Sequence, residues 1–553
     1  MAVEEDLRTL SYARGPSRAL LELTIGDLLH RTAERFPDRL AVTSRHQGAG
    51  EGERLTWAEL SEEADAVARG LWSLGIRRSD RVGLWSTNCI EWIVMHMGCA
   101  RAGAALVNVN PAYRSHELQF TLTRSRMKAL FLWHRDKRAD YEEILDRARH
   151  GLNLDLEHTI YFDSPEWLAL KCTPGELPAH VAVDDVANIQ YTSGTTGLPK
   201  GVMLTHHNIV NNGQFLAAGF HYTEQDKIVV PVPLFHCYGC VIGTMSAVNS
   251  GAAIILPNWT FNPRATLQAI HDERATSVYG VPAMYVAELA LPEFPTYDLS
   301  SLRTGMMSGA PCPVELMKRV LEEMHCSELV IAYGQTETSP VVTMSDAADS
   351  IEVRVNTVGR AMPQTEIQIA SSTTGATLPH GEQGEVCVRG YALMKGYDGD
   401  AEGTAQVIRD DGWLRTGDLG IMREDGCIHL TGRSRDVIIR GGENIYPREV
   451  EEFLYTHPKV DEAQVVGIPN ARLGEIVAAW VRLKPGLVPD VDATEEEIKE
   501  FCRGQIAYYK IPEHVRFVTE FPATLSGKIQ KFKMREFEIE ARGLQSVASA
   551  ATA

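Results

Sequence analysis

The chain has 553 residues, more than one ordinary hydrophobic core can organise, so two to four domains are expected. Hydrophobic residues make up 44% and charged residues 23%, the balance of a soluble globular protein. A net charge of −19, from 54 basic and 73 acidic side chains, excludes a nucleic-acid-coating surface, and any polyanionic ligand has to be met by local positive clusters.

Met1–Asp6 is acidic and lacks an apolar core, so no secretory signal is expected, and the cytoplasm is the expected compartment. No run of about 18 uncharged apolar residues occurs; Val241 to Leu256 comes nearest and carries Asn249 and Ser250. Ten cysteines are scattered without framework spacing, as reduced thiols would be. Cys237 and Cys240 have redox spacing but no second pair, which argues against a zinc or redox role.

In chain order, Thr24 to Phe36 reads as a helix stopped by Pro37. Thr56 and Glu59 form a capping box that opens a second helix, with Leu60, Ala64, Val67, Ala68, Leu71 and Leu74 on one face and Gly75 at its end. Strands are expected at Val82–Trp85, Ala129–Trp133, Val186–Tyr191, Ile228–Val232, Ala252–Leu256 and Leu329–Ala332. Their alternation with helices predicts an α/β fold of helix-covered, mostly parallel sheet. Beyond residue 350 the texture becomes glycine-rich and β-like, predicting an antiparallel subdomain up to Leu430. A compact α+β unit follows, with a helix from Pro447, strands Ala463–Ile468 and Ile476–Leu483, a helix Thr494–Ile506 and a strand His514–Val518. The expected division is a large domain over 1–432 and a small mobile one over 433–553.

The most informative segment runs from Tyr191 to Val202. Thr192, Ser193, Thr195 and Thr196 supply hydroxyls, Gly194, Gly197 and Gly201 permit close approach, and Lys200 supplies a cation. At the end of a strand, such a loop suits a polyphosphate. It is not the common nucleoside-triphosphatase loop, because Lys200 lies between Pro199 and Gly201 and no Ser or Thr follows it. A flexible linker is the alternative.

Three further blocks carry chemistry. In Tyr333-Gly-Gln-Thr336-Glu337-Thr338, a lone carboxylate among hydroxyls suits either a hard cation or a helix cap. Asp418, in a glycine-flanked turn, suits a ribose diol or merely stabilises the turn. Arg433, Arg435 and Arg440 flank Gly441-Gly442 at the expected domain junction, where they would hold phosphates or form surface ion pairs. The run from Pro522 to Arg535 is basic in an acidic protein; Lys528 follows Ser-Gly and would either reach a neighbouring site or sit on a solvated face.

Together these blocks, in this order, resemble the adenylate-forming (AMP-binding) superfamily over residues 25 to 540, and Pro233–Gly239 and Arg440–Pro447 are most similar to its medium- and long-chain fatty acyl-CoA synthetases. The resemblance implies ATP, Mg²⁺ and the cosubstrate coenzyme A. It implies that Thr192 to Lys200 wraps the β- and γ-phosphates, with Thr195 beside the metal. Gly309, Ala310 and Pro311 would pack on adenine near Tyr333, Thr336 would touch the α-phosphate, and Glu337 would hold Mg²⁺. Asp418 and Arg433 resemble the ribose pair, Gly441 and Gly442 follow the hinge position of Arg435, and Lys528 resembles the catalytic lysine. His236 would stand at the mouth of the acyl pocket, lined by parts of 233–243, 279–286 and 305–310, or would be a core histidine. The implied reaction is fatty acid plus ATP to acyl-AMP and pyrophosphate, then acyl-AMP plus CoA to acyl-CoA and AMP. A free-standing enzyme loading a carrier protein, an aryl- or branched-acid ligase, a luciferase-type oxidation and a non-catalytic nucleotide- or lipid-binding regulator are the competing readings. Transient membrane-surface contact and the choice between monomer and homodimer stay open.

Overall fold

The computed structural model describes residues 9–47, 52–137, 139–177, 180–192, 199–310, 312–440, 443–503, 505–524 and 528–545, apart from the side chains of 435, 443 and 444. The chain divides into two compact units, one comprising Ala13–Ile367 and Val388–Arg415, the other Met1–Tyr12, Gln368–Cys387 and Thr416–Ala553.

The first unit holds two sheets. The nine-stranded sheet runs Arg360–Ala361, Val341–Met344, Glu328–Gly334, Thr304–Ser308, Ser277–Gly280, Lys227–Val229, Ala253–Leu256, Leu40–Ser44, Glu53–Thr56. It is parallel from Glu328–Gly334 through to Leu40–Ser44. The seven-stranded sheet runs Gly396–Tyr397, Lys200–Thr205, Val186–Thr192, Ala105–Val109, Arg81–Trp85, Ala129–Leu132, His158–Tyr161. Both sheets are parallel inside and antiparallel towards one or both edges. The expected strand Ile228–Val232 stops at Val229 because Pro231 and Pro233 have no N–H for a ladder.

A layer of helices and the largest apolar core belong to both sheets. Ile90–Ala102 is central to that layer: eleven of its residues are buried, leaving only Glu91 and Arg101 partly accessible, as a helix covered on every side requires. A Cβ on Gly98 would lie 2.4 Å from Val67, so glycine is what lets this helix close on Trp57–Ser73. The predicted capping box is formed in full: Thr56 N–H donates to Glu59 Oε2 at 2.7 Å, and Glu59 N–H donates to Thr56 Oγ1 at 3.2 Å. Leu60, Ala64, Val67, Ala68 and Leu71 are all buried. Thr24 caps Ile25–Arg35 in the same way. The apolar run from Val241 to Leu256 folds as the end of a π-helical turn, a short helix and a buried strand. No described helix is long and apolar enough to cross a membrane.

The second unit contains a sheet of Glu443–Ile445, Ile438–Arg440, Gly474–Leu483 and Val460–Asn470, with His514–Phe517 added in parallel to Gly474–Leu483. A five-stranded sheet, in the order Tyr12–Arg14, Thr365–Ala370, Gln383–Gly390, Leu414–Met422 and Ile428–Arg433, accounts for the glycine-rich β region. The helix expected over Thr494–Ile506 spans Glu495–Cys502, where Arg503 turns to extended geometry.

The last helix, Lys531–Ala541, carries a buried carboxylate that ties it to the neighbouring strands. Glu538 is 1% exposed and accepts from Trp480 Nε1 at 2.8 Å, Arg516 Nε at 2.5 Å and Arg542 Nε at 2.7 Å. Burial pushes its carboxyl up, but these donors outweigh burial and hold it below the usual range. With a depressed folded-state pKa, its stabilisation is fully present above the unfolded value of about 4.3 and is lost as pH falls through the folded value. Hydrogen exchange in Gly474–Leu483 should therefore accelerate on acidification below about pH 4. Glu538→Gln should destabilise this unit at neutral pH by about 2–3 kcal/mol and blunt that acid response. An unchanged acid response would remove Glu538 from this role.

Candidate active site

The strands on either side of the glycine- and hydroxyl-rich segment are partners. Val186–Thr192 pairs antiparallel with Lys200–Thr205, placing Thr192 opposite Lys200, and Thr192 Oγ1 lies 3.5 Å from the Lys200 carbonyl. Ser193, Gly194, Thr195, Thr196 and Gly197 lie outside the described residues, so the structure places the two ends of the loop. Lys200–Thr205 is a strand because it is paired antiparallel with Val186–Thr192 on one side and with Gly396–Tyr397 on the other. A Cβ on Gly201 would sit 3.2 Å from Ile189 and 3.3 Å from Asp398 and Tyr191, so this strand is packed closely on both sides. Lys200 Nζ stands 4.6 Å from the Tyr397 ring centroid and 4.0 Å from Asp400.

On the other sheet, Thr304–Ser308 and Glu328–Gly334 are adjacent parallel strands with Ser308 opposite Ala332. Gly309 and Tyr333, each one residue further on, therefore emerge side by side at their carboxyl ends, the usual ligand edge of such sheets. Gly309 has φ +85°, a left-handed turn that glycine adopts without strain, and Ala310 follows it. Pro311 lies outside the described residues. Thr336–Thr338 form a single 3₁₀ turn directly after the second strand, with Thr336 buried and Glu337 half-buried. Gly334 permits this turn: a Cβ there would lie 1.7 Å from the Pro340 carbonyl oxygen.

The segment carrying His236 is brought to the same place, since Cys237 Sγ lies 3.7 Å from Thr336 Oγ1. Tyr238 N–H donates to His236 Nδ1 at 3.3 Å, so the neutral ring carries its proton on Nε2. Tyr238–Gly243 is a π-helical turn. The Tyr238 hydroxyl donates to the Met306 carbonyl at 2.8 Å, with the Gly280 carbonyl at 3.1 Å, tying together the three segments expected to line the acyl pocket. Gly305 does not open that pocket, because its Cβ would lie 2.2 Å from the Val278 carbonyl; sheet packing demands glycine there. Cys237 and Cys240 are buried free thiols, and burial pushes Cys237 up to about 12. Gln190 Nε2 donates to Cys240 Sγ at 3.2 Å, so that cysteine belongs to a buried amide network with Asn108 and Asn188.

A short ribbon, Met394–Asp398, unites these parts. Met394 N–H donates to the Glu337 carbonyl at 2.9 Å, Lys395 N–H to Met203 at 2.9 Å and Asp398 N–H to Gly201 at 2.7 Å. Tyr397 O–H donates to Glu337 Oε1 at 2.9 Å. Burial and the adjacent Glu337 charge push the Tyr397 phenol far above its usual range, so it remains a donor. Sequence reasoning passed over Tyr397; a tyrosine in a glycine-flanked strand has no local signature of a site residue.

In the other unit, Asp418 and Arg433 face each other across an antiparallel pair and meet at 2.9 Å, with Asp418 6% exposed. Arg440 is engaged by the Tyr509 carbonyl at 2.8 Å and by Glu513 at 3.3 Å, which is the ion-pair alternative for that residue. The Arg435 side chain, Gly441 and Gly442 lie outside the described residues. Lys528 is exposed; the Thr524 hydroxyl accepts the Lys528 N–H at 3.1 Å, and the Thr524 N–H donates to the Lys528 carbonyl at 2.8 Å.

The AMP-binding enzyme family matches residues 29–398, and its C-terminal domain matches residues 449–528. The chain belongs to the AMP-binding enzymes, the adenylate-forming superfamily. Among its AMP-binding relatives, YngI of Bacillus subtilis is 44% identical, covering 95% of this chain and 99% of its own. The mitochondrial medium-chain acyl-CoA ligase ACSF2 of Bos taurus is 42% identical, covering 95% and 89%. Of solved structures, ATP-bound MatB from Rhodopseudomonas palustris superposes with a TM-score of 0.83 at 29% identity, covering 93% of this chain and 99% of that one. A fatty acyl CoA synthetase from Mycobacterium tuberculosis gives 0.73 at 30% identity, covering 93% and 98%. For an AMP-binding enzyme built this way, Gly334→Ala should displace the Thr336–Thr338 turn and weaken catalysis on the order of 10²-fold with a modest loss of stability. Retained wild-type turnover, with pyrophosphate release as the readout, would show that this turn tolerates the shift.

Proposed function

We propose that this protein is an ATP-dependent acyl-CoA synthetase whose acid is a medium-chain fatty acid. The observation that carries the reading is the convergence of Lys200, Thr336 and Glu337 where strand ends of two sheets meet. The kinship with a ligase named for medium-chain acids, along nearly the whole chain, supports the choice of substrate.

A carboxylate is a poor acyl donor, since its leaving group would be oxide. In the proposed first step its oxygen attacks the α-phosphorus of ATP, the bond to the pyrophosphate oxygen breaks, and acyl-AMP forms. In the second, the sulfur of CoA attacks the acyl carbon, its proton passes to solvent, and AMP leaves. The first barrier is electrostatic, an anion approaching a polyanion, and a chain of net charge −19 meets it only with locally placed cations. The reading assigns Lys200 to the departing phosphates, Thr336 to the α-phosphate, the Asp418–Arg433 pair to the ribose and Lys528 to the charge that develops during adenylation.

Glu337 suits Mg²⁺. Its Oε1 accepts from Tyr397, while Oε2 takes no hydrogen bond among the described residues. Among the described residues no group of three or more His, Cys, Asp or Glu could hold a metal, so the protein would supply one carboxylate, with phosphate oxygens and water completing the shell. When bound, Mg²⁺ neutralises charge on the phosphate oxygens.

Two experiments test the reading. With ATP and Mg²⁺, acids from butyrate to stearate and aryl acids should release pyrophosphate with a maximum near octanoate and decanoate, and thioester should form only with CoA. No release with any acid would sink the proposal, and acyl transfer to a carrier protein in place of CoA would favour the loader. Lys528→Ala should slow adenylation by about 10²–10³-fold while supplied acyl-AMP and CoA still give thioester. Equal loss of both half-reactions would remove Lys528 from its assigned step.

A further inference from the structure

We infer that Tyr397 is a positioning residue that sets two opposite charges of the nucleotide site, Glu337 through its hydroxyl and Lys200 through its ring. The inference rests on the proposed adenylation. Its geometry is direct: the phenol donates to Glu337 Oε1 at 2.9 Å, and Lys200 Nζ stands 4.6 Å from the ring centroid.

The side chain is itself held firmly. Tyr397 is 8% exposed, its N–H donates to Thr404 Oγ1 at 2.9 Å, and Gly396–Tyr397 pairs antiparallel with Val202 and Met203 on the strand that begins at Lys200. Met394, three residues earlier, donates its N–H to the Glu337 carbonyl. One rigid residue therefore touches the last cation of the phosphate loop and the carboxylate of the next sheet. Fixing Glu337 Oε1 as acceptor orients Oε2 for a hard cation, as outer partners of metal-ligating carboxylates do. The ring face gives Lys200 an attractive seat without neutralising it, and Asp400 makes only a long ion pair with it, at 4.0 Å. An ion pair between Lys200 and Glu337 would cancel both charges; the phenol between them keeps both usable.

The two halves of this role separate by substitution. Tyr397→Phe keeps the ring and removes the hydroxyl, while Tyr397→Leu removes both. Titration of the unreactive analogue α,β-methylene-ATP, with Mg²⁺ and with EDTA, reads binding without turnover. In Tyr397→Phe the Mg²⁺-dependent gain in affinity should shrink about tenfold, with affinity in EDTA unchanged. In Tyr397→Leu affinity in EDTA should also fall, by roughly threefold or more. The Tyr397→Phe/Glu337→Gln double variant should bind no more weakly than Glu337→Gln alone, because the hydroxyl acts through that carboxylate. Thermal unfolding of each variant separates site effects from misfolding, and Tyr397→Phe, which keeps the packed ring, carries the test if Tyr397→Leu does not fold. Wild-type Mg²⁺ dependence in Tyr397→Phe, or additive losses in the double variant, would overturn the inference while leaving adenylation standing. A wild-type protein that neither binds the analogue nor releases pyrophosphate would instead overturn the underlying function.

Discussion

The constraint on which this site depends is the stitching of Met394–Asp398 between two sheets. Three backbone N–H groups are used, one on the carbonyl of Glu337 and two on the strand that closes the phosphate loop. None of these bonds is individually large, since a net hydrogen bond contributes only about 1 kcal/mol. Their value lies in geometry. Two sheets with separate strand orders are brought to a common edge, so that residues almost 200 positions apart become neighbours.

Glycines make that approach possible. Gly98 closes the central helix layer, Gly201 seats the loop strand against Asp398 and Tyr191, and Gly334 lets the Thr336–Thr338 turn fold back on Pro340. At Gly98 and Gly334 an added methyl would overlap its neighbours outright, whereas at Gly201 they would have to give by a few tenths of an ångström. Around this frame, polar groups are satisfied in ways that leave the working atoms outward. The hydroxyl of Tyr238 is used on the Met306 and Gly280 carbonyls, and the amides of Asn108, Asn188 and Gln190 satisfy one another and Cys240. Glu337 and Lys200 share an aromatic neighbour instead of each other.

Much of the architecture was legible because it is written in local chemistry. The Thr56–Glu59 capping box, the Thr24 cap, the burial face of Trp57–Ser73 and the strand cores at Val82 and Ala129 depend on neighbours three or four residues away at most. Motif positions were equally legible: Thr336 and Glu337 do follow a strand, and Asp418 and Arg433 are partners. The strand at Lys200–Thr205 was not, since a short run after a glycine loop takes its conformation from the strand beside it. The demand for glycine at 305 was equally illegible, since it comes from the Val278 carbonyl on a strand 27 residues earlier.

The sequence by itself determined the class of fold, the order of the chemical blocks and the residue types that a polyphosphate and a carboxylic acid require, because caps, periodicity and motif spacing act over short stretches of chain. Only the tertiary structure decided which of those blocks share a site and what orients them. Tyr397 has no motif, and its role comes wholly from touching Lys200 and Glu337, contacts that exist once two sheets are packed and that no pattern along one dimension encodes.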